Sequence, residues 1–288
     1  MASIVIPAHN EEDVLRRLLV QLVPPTGDVE FDVVVVANGC TDNTVEVASS
    51  FGPNVRVLSI PVASKRKALA AGNRTATSFP RLYVDADIEF AAKDARALAE
   101  ALGQPGVLAA APARTHAMAG RSWLVRWYYD IWVRLPEVER GLFGRGVVGV
   151  SEAGYQRIAH LPPLLADDLV ASLVFSQDER LIAPDAHVIV HPPRTFADLL
   201  RSRTRAAMGV AQIEQSEDGP SSTARTRAID LLRIACHNPH LGPCVVLFLT
   251  VAMLARRRAR RMTAQSGYSA WLRDNSSRIE GARAATHE

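Results

Sequence analysis

The sequence predicts an α/β protein: a mainly parallel, Rossmann-like sheet flanked by helices, followed by a helical C-terminal extension. Three observations predict it. Short apolar runs recur through the first 110 positions. Amphipathic helical stretches separate them, which is the alternation of βαβ units. One run, Phe31 to Val36, is apolar but for Asp32, as expected of a strand covered on both faces of a parallel sheet.

The elements follow in order. Ser3 to Ile6 is a strand closed by Pro7. Asn10-Glu11-Glu12-Asp13 then places acid at the start of a helix marked by Val14, Leu15, Leu18, Leu19 and Leu22, where negative charge suits the macrodipole. After the second strand, Asn38-Gly39-Cys40-Thr41-Asp42 reads as a turn and cap, with a helix from about Asn43 to Ser50. Val55 to Ile60 is a third strand and Lys65 to Thr77 a third helix. Leu82-Tyr83-Val84 is a fourth strand ending at Asp85-Ala86-Asp87. A helix is expected over Ala95 to Leu102 and a strand over Val107 to Ala111. Later come an aromatic segment from Trp123 to Trp132, a glycine-rich stretch from Gly141 to Gly149, a helix opened by Asp167-Asp168, and an edge strand over His187 to Val190. The rest is helical in pattern, apart from a polar break over Glu214 to Thr223. Residues 1–215 are expected to form one α/β domain in two parts, about 1–110 and about 111–215. Residues 216–288 form the extension.

Composition sets limits. With 48% hydrophobic and 22% charged residues in 288, global disorder is excluded. Cys40, Cys236 and Cys244 make neither a disulfide framework nor a zinc pattern, which suits a reducing cytoplasm. No cleaved secretion signal is expected, because the N-terminus enters a strand pattern directly. The net charge of +3 is uneven, with Arg256, Arg257, Arg258, Arg260 and Arg261 in one run. That run points to an anionic surface, phospholipid or nucleic acid.

Ligands of open parallel sheets bind beyond the carboxyl ends of the strands. His9 to Glu11, Asn38, and Asp85 with Asp87 all fall there. Two carboxylates spaced Asp-x-Asp offer hard oxygen donors for Mg²⁺ or Mn²⁺ on a diphosphate; read blandly, they are two solvated loop aspartates. Asp168 is placed to act as a base taking a proton from an attacking hydroxyl, or, more plainly, to cap its helix with Asp167. His191 offers a further metal ligand or a structural imidazole. The aromatic segment is either the buried face of a helix or a platform for an acceptor.

These segments together carry a resemblance. Ser3 to Glu12 (SIVIPAHNEE) resembles the opening of family 2 glycosyltransferases, which have the GT-A fold. Val33 to Thr44 (VVVVANGCTDNT) is similar to their second nucleotide-binding segment, Tyr83 to Asp87 (YVDAD) to their metal motif, and Ala166 to Leu169 (ADDL) to their Glu-Asp motif. The resemblance implies an inverting, metal-dependent hexosyltransferase that takes a UDP- or GDP-sugar donor and a hydroxyl acceptor, with a lipid-linked acceptor among the options. It implies Pro7, Ala8 and Glu11 around the nucleoside, Asn38 at base or ribose, and Lys65 as a basic contact to the donor. Asp85 and Ala86 would lie by the donor, Asp85 and Asp87 (with His191) on the metal, and Asp168 would be the base.

The chain also departs from the family pattern. Ala37-Asn38-Gly39 stands where Asp-Asp-Gly is common, which weakens the case for uridine, and Asp167 replaces the usual Glu. Arg201, Arg203 and Arg205 fall near the place of a Gln-x-x-Arg-Trp motif whose Gln and Trp are missing, which argues against a processive synthase. Arg203 and Arg205 remain candidates for the diphosphate. Two other classes compete: a nucleotidyltransferase, which would open on a glycine-rich basic loop instead of an acidic one, and a non-catalytic sugar-nucleotide binding protein, which would tolerate loss of Asp168. Finally, Leu241 to Ala255 is apolar and short for a span. It is expected to lie on the cytoplasmic leaflet or to pack on protein; no nucleic-acid partner is expected.

Overall fold

The computed structural model describes residues 1–23, 30–159, 172–215 and 226–266. Among these, seven strands form one sheet: β1 (Ala2–Ala8), β2 (Phe31–Asn38), β3 (Val55–Ile60), β4 (Arg81–Val84), β5 (Ala109–His116), β6 (Val147–Val150) and β7 (Arg180–Val190). Their spatial order is β3-β2-β1-β4-β6-β5-β7. Pairing is parallel except on both sides of β6.

Helices cover both faces. Alternate side chains of β2 explain how: Val33 and Val35 join one cluster, Val34 and Val36 another. On the first face lie α1 (Glu12–Leu22) and α4 (Ala92–Leu102). Leu15, Leu18 and Leu19 of α1 are wholly buried there, contributing about 1.5–3 kcal/mol each. On the second face α3 (Lys65–Thr75) presents Ala68 and Ala71. It also presents Gly72, where a Cβ would stand 2.3 Å from Val5 Cγ1. Only a residue without a side chain lets the helix come this near. The short α2 (Thr44–Ser49) packs on α1 and β3.

Beyond β5 the molecule is largely helical. α5 (Trp123–Trp132) and α6 (Pro136–Arg140) precede β6, and α7 (Glu152–Ala159) follows it. After β7 come α8 (Phe196–Gln215), α9 (Ala228–His237) and α10 (Gly242–Ser266). One cluster unites them: Tyr128 and Trp132 of α5, Leu199 of α8, Leu231 and Ile234 of α9, Phe248 and Val251 of α10.

Two expected strands prove longer. The strand expected at 107–111 runs to His116, through Pro112, because the proline sits at an irregularity in the β5–β7 pairing where no regular ladder is needed. The expected edge strand begins at Arg180 and carries Pro184, a residue that edge strands tolerate. The helix expected at Asp167-Asp168 lies outside the described residues.

Candidate active site

β1 has β2 on one side and β4 on the other, so the chain switches direction of winding between β1 and β4. A crevice at the carboxyl ends of these two strands is where such sheets take ligands. Pro7 stands there without disrupting the sheet: pairing with β4 ends at Val5↔Tyr83, so one flank of β1 is already unpaired. Ala8 is fully buried. Asn10 turns the chain from β1 into α1 with φ +51, a left-handed conformation that asparagine tolerates better than most. Its Oδ1 accepts the Thr41 amide at 2.7 Å. The Glu11 amide donates to Thr44 Oγ1 at 2.8 Å, and its carboxylate accepts the His9 amide at 3.4 Å.

Asn38 closes β2 with both ends of its amide engaged. Nδ2 donates to Ala8 O at 2.7 Å and Oδ1 accepts the Ser64 amide at 3.0 Å. At 1% exposure it holds the ends of β1 and β2 and the start of α3 in register. The His9 ring adds a contact from Nδ1 to Asn38 O at 2.6 Å. Ser64 caps α3 through the Lys67 amide, so Lys65 occupies its first turn. Lys65 Nζ reaches Asp85 Oδ1 at 2.6 Å, with both side chains about 40% exposed.

Beyond β4 the chain keeps a strand-like alternation. Ala86, Ile88 and Phe90 are buried, while Asp85, Asp87 and Glu89 are half-buried. Three partly exposed carboxylates therefore recur at every second position of the turn that follows β4. The Asp85 amide donates to Gly146 O at 2.8 Å. Gly146 has φ +69, and a Cβ on it would stand 2.5 Å from Ile88 Cγ2; glycine is the residue that fits.

Glu89 meets the predicted metal ligand. His191 Nε2 lies 2.8 Å from Glu89 Oε1, and Nδ1 lies 3.4 Å from Arg121 Nη2. Arg121 is itself buried and donates to the carbonyls of Pro192 and Ala119. Both nitrogens of His191 thus face protein partners. Among the described residues no three His, Cys, Asp or Glu side chains enclose a cation by themselves. Two half-exposed carboxylates nonetheless fit Mg²⁺ or Mn²⁺, which keep water and substrate phosphate as the remaining ligands.

The arginines of α8 are not brought together. Arg203 lies over the rings of Trp132 and Tyr128, 5.5 and 5.8 Å from their centroids, and Arg205 is exposed. Residues two apart on a helix do not share a face. Near Arg203 stands a cationic cluster: Arg145 spreads its donors over the carbonyls of Gly141, Pro112 and Glu139, and Arg114 over those of Phe143 and Val138. Burial, with the charges of Arg114, Arg145 and Arg203, pushes His116 down to about 4. The aromatic segment divides in two. Tyr128, Tyr129 and Trp132 are core, whereas Trp123 and Trp127 are exposed, edge to face at 4.9 Å. Asp167 and Asp168 lie outside the described residues.

A family model described as Glycosyl transferase family 2 matches residues 3–149, more than half of the chain and the span that holds this crevice. The chain belongs to that family. Over 90 residues it is 32% identical to the uncharacterized glycosyltransferase YibD of Escherichia coli (strain K12), a match over 30% of this chain and 26% of that protein. Over 101 residues it is 35% identical to the 4,4'-diaponeurosporenoate glycosyltransferase of Staphylococcus aureus (strain USA300), covering 32% and 25%. The chain thus spans about a quarter of the length of these curated relatives. The mannosyltransferase PcManGT of Pyrobaculum calidifontis, in complex with GDP-Man and Mn²⁺, has a TM-score of 0.59 at 18% identity, over 100% of this chain and 81% of its own. Glucosyl-3-phosphoglycerate synthase of Mycobacterium tuberculosis, in complex with Mn²⁺, UDP-glucose and phosphoglyceric acid, has 0.52 at 19%, over 74% and 79%. At these identities the likeness is one of fold, and the fold is GT-A.

Glu89, Arg121 and Gly146 are not among the site residues expected from sequence. Glu89 carries a readable signal, since it continues the every-second-residue spacing of Asp85 and Asp87. Arg121 and Gly146 carry none, because their roles arise from contacts across the sheet.

Proposed function

We propose that this family member moves one sugar from a UDP- or GDP-sugar to an acceptor hydroxyl, with inversion at the anomeric carbon and dependence on Mg²⁺ or Mn²⁺. The observation that carries this reading is the side-by-side display of Asp85 and Asp87 at the switch point, with Lys65 on Asp85. In proteins of the same fold, GDP-mannose or UDP-glucose accompanies Mn²⁺. Here Asp85 and Asp87 would hold the cation. Bound there, it neutralises charge on the leaving diphosphate.

The chain's own residues do the rest. Pro7, Ala8 and Glu11 border the nucleoside, and Asn38 positions the β1 and β2 ends instead of reaching the ligand with its saturated amide. Lys65 leaves Asp85 for the donor's phosphates when these arrive, exchanging one anion for another. The acceptor oxygen attacks the anomeric carbon, the bond from that carbon to the diphosphate oxygen breaks, and the hydroxyl proton passes to Asp168. His191 would be a further ligand, and its contacts to Glu89 and Arg121 hold the ring in place. Arg203, set in the aromatic cluster, serves the acceptor side, and the exposed Arg205 is the arginine of α8 assigned to phosphate. The absent Gln-x-x-Arg-Trp motif supports a single transfer. Exposed Trp123 and Trp127 support including lipid-linked alcohols among the acceptors.

The test is nucleoside diphosphate release by the wild type, Asp87→Ala and Asp168→Asn across UDP- and GDP-sugars. Loss in both variants supports the assignment; wild-type turnover in both overturns it. Donor binding that ignores EDTA and added Mn²⁺ removes the metal from the reading separately.

A further inference from the structure

The helix α10 carries two chemistries on two faces. Leu241 just before it, then Cys244, Phe248, Val251, Ala255 and Ala259, are buried at the three- and four-residue spacing of one helical stripe. That stripe rests on α8 and α5, and Phe248 stacks on Tyr128 with ring centroids 5.0 Å apart. The opposite stripe faces outward. Val246 is 64% exposed, Leu249 43% and Met253 54%. Continuing along the same face at the same spacing come Arg257, Arg260 and Arg261, all exposed. The outer surface of one helix therefore turns from aliphatic to cationic partway along. No aspartate or glutamate occurs between Asn238 and Ser266. The neighbouring α9 exposes Ile229, Leu232 and Arg233, with exposed Arg227 just before it.

We propose that this stripe is a membrane-docking surface, with α10 lying in the headgroup region of an anionic bilayer and its arginines on lipid phosphates. By length and composition Pro239–Ala264 could cross a bilayer. Two features argue for lying over crossing. The inner stripe is committed to protein along its length, and the aliphatic stretch, from Val246 to Leu254, extends only about 12 Å at 1.5 Å per residue. A bilayer core is about 30 Å thick. Apolar area on one face with arginines beside it is the arrangement by which helices hold to anionic leaflets without entering the core. The charge sign selects anionic lipid, and in a cytoplasmic protein that places it at the inner face of the cell membrane. A second copy of the chain would present arginine to arginine across the same stripe, so the cationic half disfavours self-association.

Docking is independent of sugar transfer and is read without turnover. The full chain is floated with vesicles of phosphatidylcholine alone or phosphatidylcholine mixed with phosphatidylglycerol. Wild type is expected to float with the mixed vesicles, to stay down with neutral ones, and to release as salt rises. Arg257→Gln/Arg260→Gln/Arg261→Gln is expected to lose roughly 100-fold in partitioning, at about fivefold per arginine. Val246→Asp/Met253→Asp is expected to abolish flotation with an unchanged melting temperature, since both side chains are exposed. Wild type that stays down with both vesicle types overturns the proposal. So does a Val246→Asp/Met253→Asp protein that floats like wild type, or a lipid-free dimer that this variant splits.

Discussion

The parallel half of the sheet, with its flanking helices, and the half of the molecule from β5 onward are built by different rules. From β1 to α4 the functional groups sit at the ends of strands whose positions follow from parallel register, and the backbone itself carries much of the site: the amides of Glu11, Ser64 and Asp85 are all engaged in shaping it. From β5 to α10 the groups are long side chains, Arg114, Arg145, Arg203 and the rings of α5, arranged by packing between elements distant in sequence. In the first half, moving a side chain requires moving a strand. In the second, side chains such as Arg145 are held by carbonyls from several separate segments, so their positions depend on how those segments pack.

That contrast can be broken most sharply at the carboxylates. Asp87→Ala is expected to lower nucleoside diphosphate release on the order of 1,000-fold, because metal stabilisation of a leaving group is worth several kcal/mol, while the melting temperature stays put. A weaker break is Asn38→Ala, which leaves Ala8 O and the Ser64 amide without their partner at about 1–3 kcal/mol apiece; donor affinity, followed by calorimetry, should fall with stability. Gly72→Ala should destabilise by about 1–3 kcal/mol through the clash with Val5, and adding Val5→Ala should recover some of the loss in denaturant melts.

The half from β5 onward answers to pH. His116 in the folded chain titrates at about 4, below its ordinary 6.5, so the unfolded chain binds the extra proton first. Stability is therefore complete above 6.5 and declines as pH falls from 6.5 toward 4, by roughly 3 kcal/mol at most. Replacing His116 with Gln should flatten the melting temperature across that window. The smallest effect belongs to Arg96→Gln, whose ion pair with Glu30 is exposed; no measurable change in melting temperature is expected.

The same contrast explains what the sequence made legible. The strands, their order of chemistry and the Asp85–Asp87 pair could be read because continuous apolar runs and strand-end position are local properties. The pairing of Lys65 with Asp85 joins two adjacent βα units. By contrast β6 runs against its neighbours, Glu89 clasps His191 and Arg121 supports it, and none of these follows from neighbours in sequence. The aromatic segment shows the boundary well: its helix was readable, but which rings face inward depends on Phe248, more than a hundred positions later.

The bond from the Asp85 amide to Gly146 O has a consequence for how the protein is made. β4 acquires its second neighbour only when β6 pairs with it, and β6 lies well downstream of the motifs that β4 carries. During synthesis the first four strands emerge with β4 as a bare, hydrogen-bond-hungry border, the kind of edge that invites pairing between chains. A fragment ending near residue 110 would hold Pro7 to Glu11, Asn38, Lys65 and the Asp85–Asp87 pair yet present that open border to its copies. The shortest piece worth expressing as a soluble nucleotide binder therefore reaches past Val150.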